Sequence, residues 1–348
     1  MIWLTWRQFR TQAAVVVGAL VVVAIILAVT GPNLVHLYHA CTVTHTCGQS
    51  SFTSTDHNLQ IGVQALLLVA PALIGIFWGA PLVARELETG TYRLGWTQSV
   101  SRRRWLAGKV GLVGLSAVAL GGLLSLLVTW WLSPIDAVSA NRFDSLEFGL
   151  RGITPIGYAA FAFALGLTAG VLMRRTLPAM AATIVTYVAA RLAEAAWVRP
   201  HLLPPAHTHV PLQAHNVGIG VGPGGGPSVV TTNVNIPNAW VYSSNLADKA
   251  GHAPTSHFLA TACPAIVSGL NHLGIPHHAG HGTIAVGPVV QQTFQACISK
   301  VAAHFHEVVT YQPANRYWAL QSLETGLFIV LALMLTGVCF WWVGHRLS

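Results

Sequence analysis

The sequence predicts an all-α polytopic membrane protein, and three observations predict it. Charged residues make up only 8% of the chain against 53% apolar ones. A soluble domain carries about 25% charged residues, so most of this chain is not built to face water. Six apolar runs are each long enough to cross about 30 Å of hydrocarbon as a helix. The Lys and Arg residues collect in short segments between those runs. A membrane protein needs that placement, and it argues against nucleic-acid binding despite a net charge of +8. The expected architecture is six transmembrane helices with an N-terminal interfacial helix, a short cytoplasmic helix, and a large extracytoplasmic loop domain between helices five and six.

The elements follow in chain order. Residues 1–12, "MIWLTWRQFRTQ", place Ile2, Trp6 and Phe9 on one helical face and Arg7 and Arg10 elsewhere. That pattern suits an amphipathic helix lying in the membrane interface. Residues 13–198 hold the first five spans, at 13–31, 61–83, 110–132, 154–173 and 177–198. The first run is longer than a signal-peptide core and has no small-residue cleavage site after it, so it reads as an uncleaved helix. Only Arg174, Arg175 and Thr176 separate spans four and five, which requires a tight turn. The sixth span, 320–344, lies within residues 319–348, which end in a short tail.

Charge sets the expected orientation. With the N-terminus in the cytoplasm, the inner segments carry Arg7, Arg10, the basic residues of 84–109, Arg174, Arg175 and Arg346. The first outer loop, 32–60, has no Lys or Arg, and the second, 133–153, has only Arg142 and Arg151. Each basic residue near an anionic leaflet contributes about 1 kcal/mol. Four of the five cysteines, Cys41, Cys47, Cys263 and Cys297, then fall outside, where disulfides persist, while Cys339 sits in the last span.

Residues 199–318 form the expected extracytoplasmic domain. Its "GIGVGPGGGPS" tract reads as a mobile loop, and "SVVTTNVNI" alternates like a strand. Leu259, Cys263, Ile266, Leu270 and Leu273 recur at helical spacing, as do Val290, Phe294, Cys297, Val301 and Phe305. A helical hairpin closed by Cys263–Cys297 is expected, with Cys41–Cys47 closing a small loop. Four cysteines allow three connectivities. Sixteen of the seventeen histidines lie outside, and His277, His278 and His281 ("HHAGH") are candidate zinc ligands. The alternative is that histidine serves there as an ordinary polar surface residue.

The charged island at 84–109, "ARELETGTYRLGWTQSVSRRRWLAGK", interrupts two apolar runs. Its first part continues the second helix, Gly90 breaks it, Thr91 caps a short helix over "YRLGWTQ", and Ser99 or Ser101 caps the third span. "RELETGT" followed by "RRRWLAGK" resembles the cytoplasmic element of six-helix, two-component ABC-type exporter permeases, at Arg85, Glu86, Glu88, Gly90, Thr91, Gly108 and Lys109. "WLTWRQFR", "RLAEAAWVRPHL" (191–202) and "YQPANRYWALQSLETGLF" (311–328) are similar to members common in actinobacteria. Together with the six-span layout the likeness covers most of the chain, leaving out about 218–235.

That resemblance implies a permease subunit in a bacterial cell membrane, multi-pass, with both termini cytoplasmic. The short helix of the island docks into a separate ABC ATP-binding subunit. ATP and Mg are expected on that partner and no cofactor on this chain, which lacks G-x-x-x-x-G-K-[ST]. A second permease copy, giving a homodimer with two ATPases, and membrane lipids complete the expected partners. The apolar walls of the spans suit an amphipathic cargo such as a drug, natural product, lipid or peptide. Of Glu86 and Glu88, Glu88 is the one expected to face the partner, being nearer the break.

Within the spans, Arg191, Glu194 and Glu324 are ionisable residues at membrane depth. Such residues line or gate a pathway or pair to hold helices together. Arg191 is placed to pair with Glu194 at i,i+3 or with Glu324 across helices. A competing function is a membrane sensor or scaffold whose His-rich outer domain binds a ligand or metal. No Ser/His or metal-carboxylate constellation within the spans supports an intramembrane hydrolase.

Overall fold

The structure is a computed structural model. It describes residues 2–44, 54–91, 101–139, 143, 145–212, 217–221, 227–232, 234, 236–255, 258 and 288–346. The chain divides into two compact units, Met1–Leu203 with Asn315–Ser348, and Pro204–Ala314.

The first unit is a helical bundle with six helices long and apolar enough to cross a membrane. Helix α1 (Ile2–Thr44) runs without a break through the segment expected as a separate interfacial helix. No Gly or Pro occurs before Gly18, so nothing stops the helix at residue 12. It also passes Pro32 and continues into the region expected as the first outer loop. Trp131 donates from Nε1 to Thr30 Oγ1 at 2.9 Å, tying this part of α1 to its neighbour. Helix α2 (Ser54–Ile74) likewise starts earlier than its apolar run. It passes through a π-helical turn (Gly75–Gly79) into α3 (Ala80–Thr89). Gly90, with φ 73°, ends α3 in the left-handed region that glycine tolerates best, as the sequence predicts. Helix α4 (Arg102–Ser139) follows; Ser101 Oγ accepts from Arg104 N at 3.4 Å at its start.

Helix α6 (Thr154–Met173) is the centre of the bundle, buried along most of its length. Its "GLTAG" meets "GIFWG" of the π turn. A methyl group added to Gly166 would sit 2.1 Å from Gly75 O, and one added to Gly79 would sit 2.5 Å from Phe163 O. Two small-x-x-x-small faces thus let the backbones touch, the usual way membrane helices gain close packing. Helix α7 (Thr176–Ala193) begins after the expected tight turn, in which Arg174 is left-handed and Arg175 extended. A second π-helical turn (Glu194–Val198) and a 3-10 turn (Arg199–His201) extend it. Helix α9 (Tyr317–His345) closes the bundle. Many large apolar side chains on the spans, among them Val15, Leu115, Leu126, Val185 and Leu333, point outward and are exposed.

The segment between α4 and α6 is not the simple loop expected over 133–153. Helix α4 reaches Ser139, a single-turn helix α5 (Ser145–Phe148) follows, and Phe143, Phe148, Leu150 and Arg151 are buried. Phe143 and Phe148 stack at 5.5 Å, and both meet the Tyr317 ring edge-on.

The second unit corrects the all-α expectation. Strands β1 (Ala206–Val210), β4 (Trp240–Asp248) and β5 (Phe305–Gln312) form an antiparallel sheet in the order β1-β5-β4. The tract expected as a mobile loop contributes β2 (Val217–Val221), which pairs with β3 (Pro227–Thr232). Backbone pairing needs no side-chain core, so a Gly-rich strand can form there. Helix α8 (Pro288–Ala302) matches the second half of the expected hairpin, with Cys297, Ile298 and Val301 buried, but Phe305 begins a strand instead of ending the helix. The first half of that hairpin, 259–273, lies outside the described residues. In the turn after β4, Asp248 accepts from Ala250 N and His252 N, both at 2.8 Å. The His252 amide is the main cause holding its carboxyl below the usual range.

Candidate functional site

Helices that traverse the bundle in alternating directions give it two ends, and each end gathers charge. At the Gly90 end, the last turn of α3 carries the island's acidic residues. Glu86 ion-pairs Lys109 of α4, whose side chain is only 5% exposed. The Lys109 ammonium also lies 4.8 Å from the Trp105 ring centre and 3.4 Å from Leu82 O. Glu88 turns to α7. Its Oε2 accepts from Thr176 N at 3.0 Å and from Thr176 Oγ1 at 2.8 Å. Thus the carboxylate expected to face a partner is engaged within the chain, at the start of the fifth span. Thr89 Oγ1 donates to Arg85 O at 2.8 Å and lies 3.0 Å from Thr91 Oγ1. The short helix expected at "YRLGWTQ" lies outside the described residues, so the capping role of Thr91 rests on sequence alone.

At the Arg199 end, the structure brings Arg191, Glu194 and Glu324 together and adds two residues to them. Arg191 Nη1 donates to Glu194 Oε2 at 2.7 Å and lies 3.6 Å from Glu324 Oε1, so both pairings open to it are made. Arg199 bridges the two carboxylates. Its Nε lies 3.1 Å from Glu194 Oε1 and 3.0 Å from Glu324 Oε2, and its Nη2 lies 3.2 Å from Glu194 Oε2 and 3.0 Å from Glu324 Oε1. The Tyr158 hydroxyl donates to Glu324. Arg191 stacks 3.6 Å over the Tyr158 ring, and Arg199 lies 5.1 Å from the Phe148 ring centre. Arg199 is 1% exposed and Glu324 0%. Two guanidiniums against two carboxylates leave the cluster neutral, which is how charge survives burial.

Arg199 escaped the sequence reading because of the π turn. In a regular helix, positions i and i+5 point about 140° apart. The i→i+5 turn at Glu194–Val198 brings Arg199 back under Glu194. The signal that exists in the sequence is weak: a second arginine just before Pro200.

A second buried network adjoins the first. Arg151 ion-pairs Asp136 and, at 2.8 Å, Glu147. Glu147 also accepts from Gln64 Nε2 at 2.9 Å and Gln60 Nε2 at 3.3 Å. Gln321 ties α9 to the segment that carries this second network: Oε1 accepts from Ile153 N at 2.9 Å, and Nε2 donates to Phe148 O at 2.9 Å and Arg151 O at 3.1 Å. Gly149 sets the two networks side by side, since a methyl group there would meet Arg191 Nη2 at 2.9 Å, and Gly152 leaves the room that the Gln321 side chain fills. Arg151 was expected as an outer-loop charge; it is a buried strut.

The remaining expected site residues are not brought together. The side chain of Cys41, together with Cys47, Cys263, His277, His278 and His281, lies outside the described residues. Among the described residues, no group of three or more His, Cys, Asp or Glu is placed to hold a metal.

A bundle of six apolar helices locked by buried charge is a multi-pass membrane protein. The family model described as "ABC-2 membrane transporter related" matches residues 17–199, more than half of the chain. The chain belongs to that family and is an ABC-type permease subunit, the membrane component of a transporter that works with an ATP-binding partner. The match includes the island and four members of the Arg199 cluster, Tyr158, Arg191, Glu194 and Arg199, and stops before Glu324. No curated protein and no solved structure matches the chain.

Proposed function

We propose that this permease exports an amphipathic compound, driven by a separate P-loop ATPase that docks on the island at 84–109. The observation that carries this reading is the Gly90 end. A helix that stops at a left-handed glycine hands its last acidic residues to two other spans, Glu86 to α4 and Glu88 to α7. A force applied just beyond Gly90 therefore reaches three helices at once. Arg85, Glu86, Glu88, Gly90 and Thr91 are the coupling residues in this reading. The working unit is two copies of this chain with two ATPases, both termini cytoplasmic, and ATP and Mg held by the partner. The Arg199 cluster holds α7 to α9 at the far end, where it serves as the outer closure of the path. The segment 199–318 lies outside the cell, with Cys41–Cys47 and Cys263–Cys297 as its disulfides. Cys297 supports the second pairing, being buried on α8.

The test is reconstitution. Co-expressed with a P-loop ATPase subunit from the same genome, the chain should retain that ATPase through purification. Inside-out vesicles should then accumulate an amphipathic fluorescent cargo when ATP is added. A single cysteine introduced by Ser228→Cys in a cysteine-free variant should react with an impermeant thiol reagent on intact cells. Failure to retain any ATPase sinks the permease assignment, accumulation in right-side-out vesicles reverses the direction, and labelling only after lysis inverts the topology.

A further inference from the structure

We propose that Glu88 is a positioning residue that makes α7 the moving element of the transporter: it transmits displacement of the island to the fifth span, and the Arg199 cluster receives it. This rests on the permease reading above. Helix α7 has no side-chain cap of its own, because Arg175 at its N-cap supplies none. Glu88 of α3 supplies the missing acceptor to both the amide and the hydroxyl of Thr176. An anionic group at that position also complements the positive end of the helix dipole. Glu88 lies two residues before the Gly90 break, so it is the last side-chain anchor before the island leaves α3.

The rest of α7 is built to move as a rod. Its buried residues are Ala179, Thr183 and Tyr187, one narrow stripe at four-residue spacing. Leu177, Ile184, Val185, Val188 and Leu192 are exposed. A helix that buries so thin a stripe can shift by about 1–2 Å without dismantling a core. At its far end, Arg191 and Arg199, both paired to Glu194, grip Glu324 of α9. The fifth span is thus clamped at both ends and lightly held between them. The near clamp is exposed and single; the far clamp is buried and multiple. Motion enters at the first and is read at the second.

The experiment uses the full chain with its co-expressed ATPase in nanodiscs. Nitroxides at Trp197→Cys and Trp318→Cys, both exposed positions, report the distance between the far end of α7 and the start of α9 by pulsed electron resonance. In the otherwise wild-type complex, trapping with ATP and vanadate should shift that distance. Glu88→Ala should abolish the shift and lower cargo moved per ATP by about tenfold in the complex that is recovered, while loss of the cap lowers the melting temperature only slightly. Glu88→Gln keeps an amide oxygen as acceptor and should restore most of both. A merely structural role would instead lower recovery or melting temperature while each recovered complex kept the full shift and the full cargo ratio. A full shift and full cargo ratio in Glu88→Ala overturns the inference while leaving the permease assignment standing. A wild-type complex that hydrolyses ATP and moves cargo without any distance change overturns it as well.

Discussion

The two ends of the bundle both carry acid–base contacts, and they hold the helices in different ways. At the Gly90 end each carboxylate has one partner element: Glu86 has Lys109, and Glu88 has Thr176. The Glu86 side chain keeps 18% exposure, and Glu88 is exposed outright. At the Arg199 end two carboxylates and two guanidiniums share their bonds, and a tyrosine hydroxyl completes the set. Exposed pairs contribute little to stability, whereas a buried network fails badly when one member is removed. The difference teaches where the molecule can give. The Gly90 end can exchange a contact with a docked partner at low cost. The Arg199 end behaves as one unit.

The largest expected effect breaks that unit. Arg199→Ala leaves Glu194 and Glu324 with Arg191 as their one remaining cation. The variant should lose about 3–5 kcal/mol, the usual cost of stripping one partner from a buried pair. Denaturant unfolding in detergent micelles measures it. A loss below about 1 kcal/mol, typical of surface pairs, would show that the two ends do not differ in kind.

A smaller effect sharpens the comparison by removing a neutral member of the same end. Gln321→Leu keeps the bulk of the side chain but withdraws the acceptor from Ile153 N and the donor from Phe148 O and Arg151 O. Leaving such groups unmet in a buried site costs about 1–3 kcal/mol. The same unfolding assay should place this variant between wild type and Arg199→Ala. Hydrogen exchange at the Ile153 amide should rise with it, since that amide loses its acceptor on α9. Wild-type protection at Ile153 would mean that Gln321 is not what holds this segment to α9.

How much of this could be read from the sequence depends on how local each signal is. The Gly90 stop, the Ser101 start, the Arg174–Arg175 turn and the Arg191–Glu194 pair each need only a few adjacent residues, and each is found in the structure. The ends of α1 and α2 were missed because hydropathy stops counting where polar residues such as His36, Thr42 and Gln60 appear, although the helices continue. Arg199 was missed because a π turn changes the period. The sheet was missed because Ala206 pairs with Tyr311, about a hundred residues away, and no local pattern announces such a partner. Arg151 looked like a loop charge because its acidic partners, Asp136 near the end of α4 and Glu147 in the single-turn α5, lie beyond the apolar run that marks the third span.

The smallest expected effect tests the Gly90 end directly. Lys109→Met keeps a long, flexible, apolar stem in place of the lysine stem. The charge is lost, and with it the ion pair to Glu86, the 3.4 Å contact to Leu82 O and the placement over Trp105. What remains is Glu86, which is partly exposed and can turn its carboxylate to water. The penalty should therefore fall between that of a surface pair and that of a fully buried one, at about 1–2 kcal/mol. Adding Glu86→Gln should recover most of it, because the stranded carboxylate is the main source of the loss. The double-mutant cycle isolates that pair term. The corresponding rescue should fail at the other end: Arg199→Ala combined with Glu194→Gln still leaves Glu324 buried beside Arg191 at 3.6 Å with half its former bonds. Equal penalties and equal rescue at both ends would remove the distinction between a contact that can be traded and a cluster that holds as a whole.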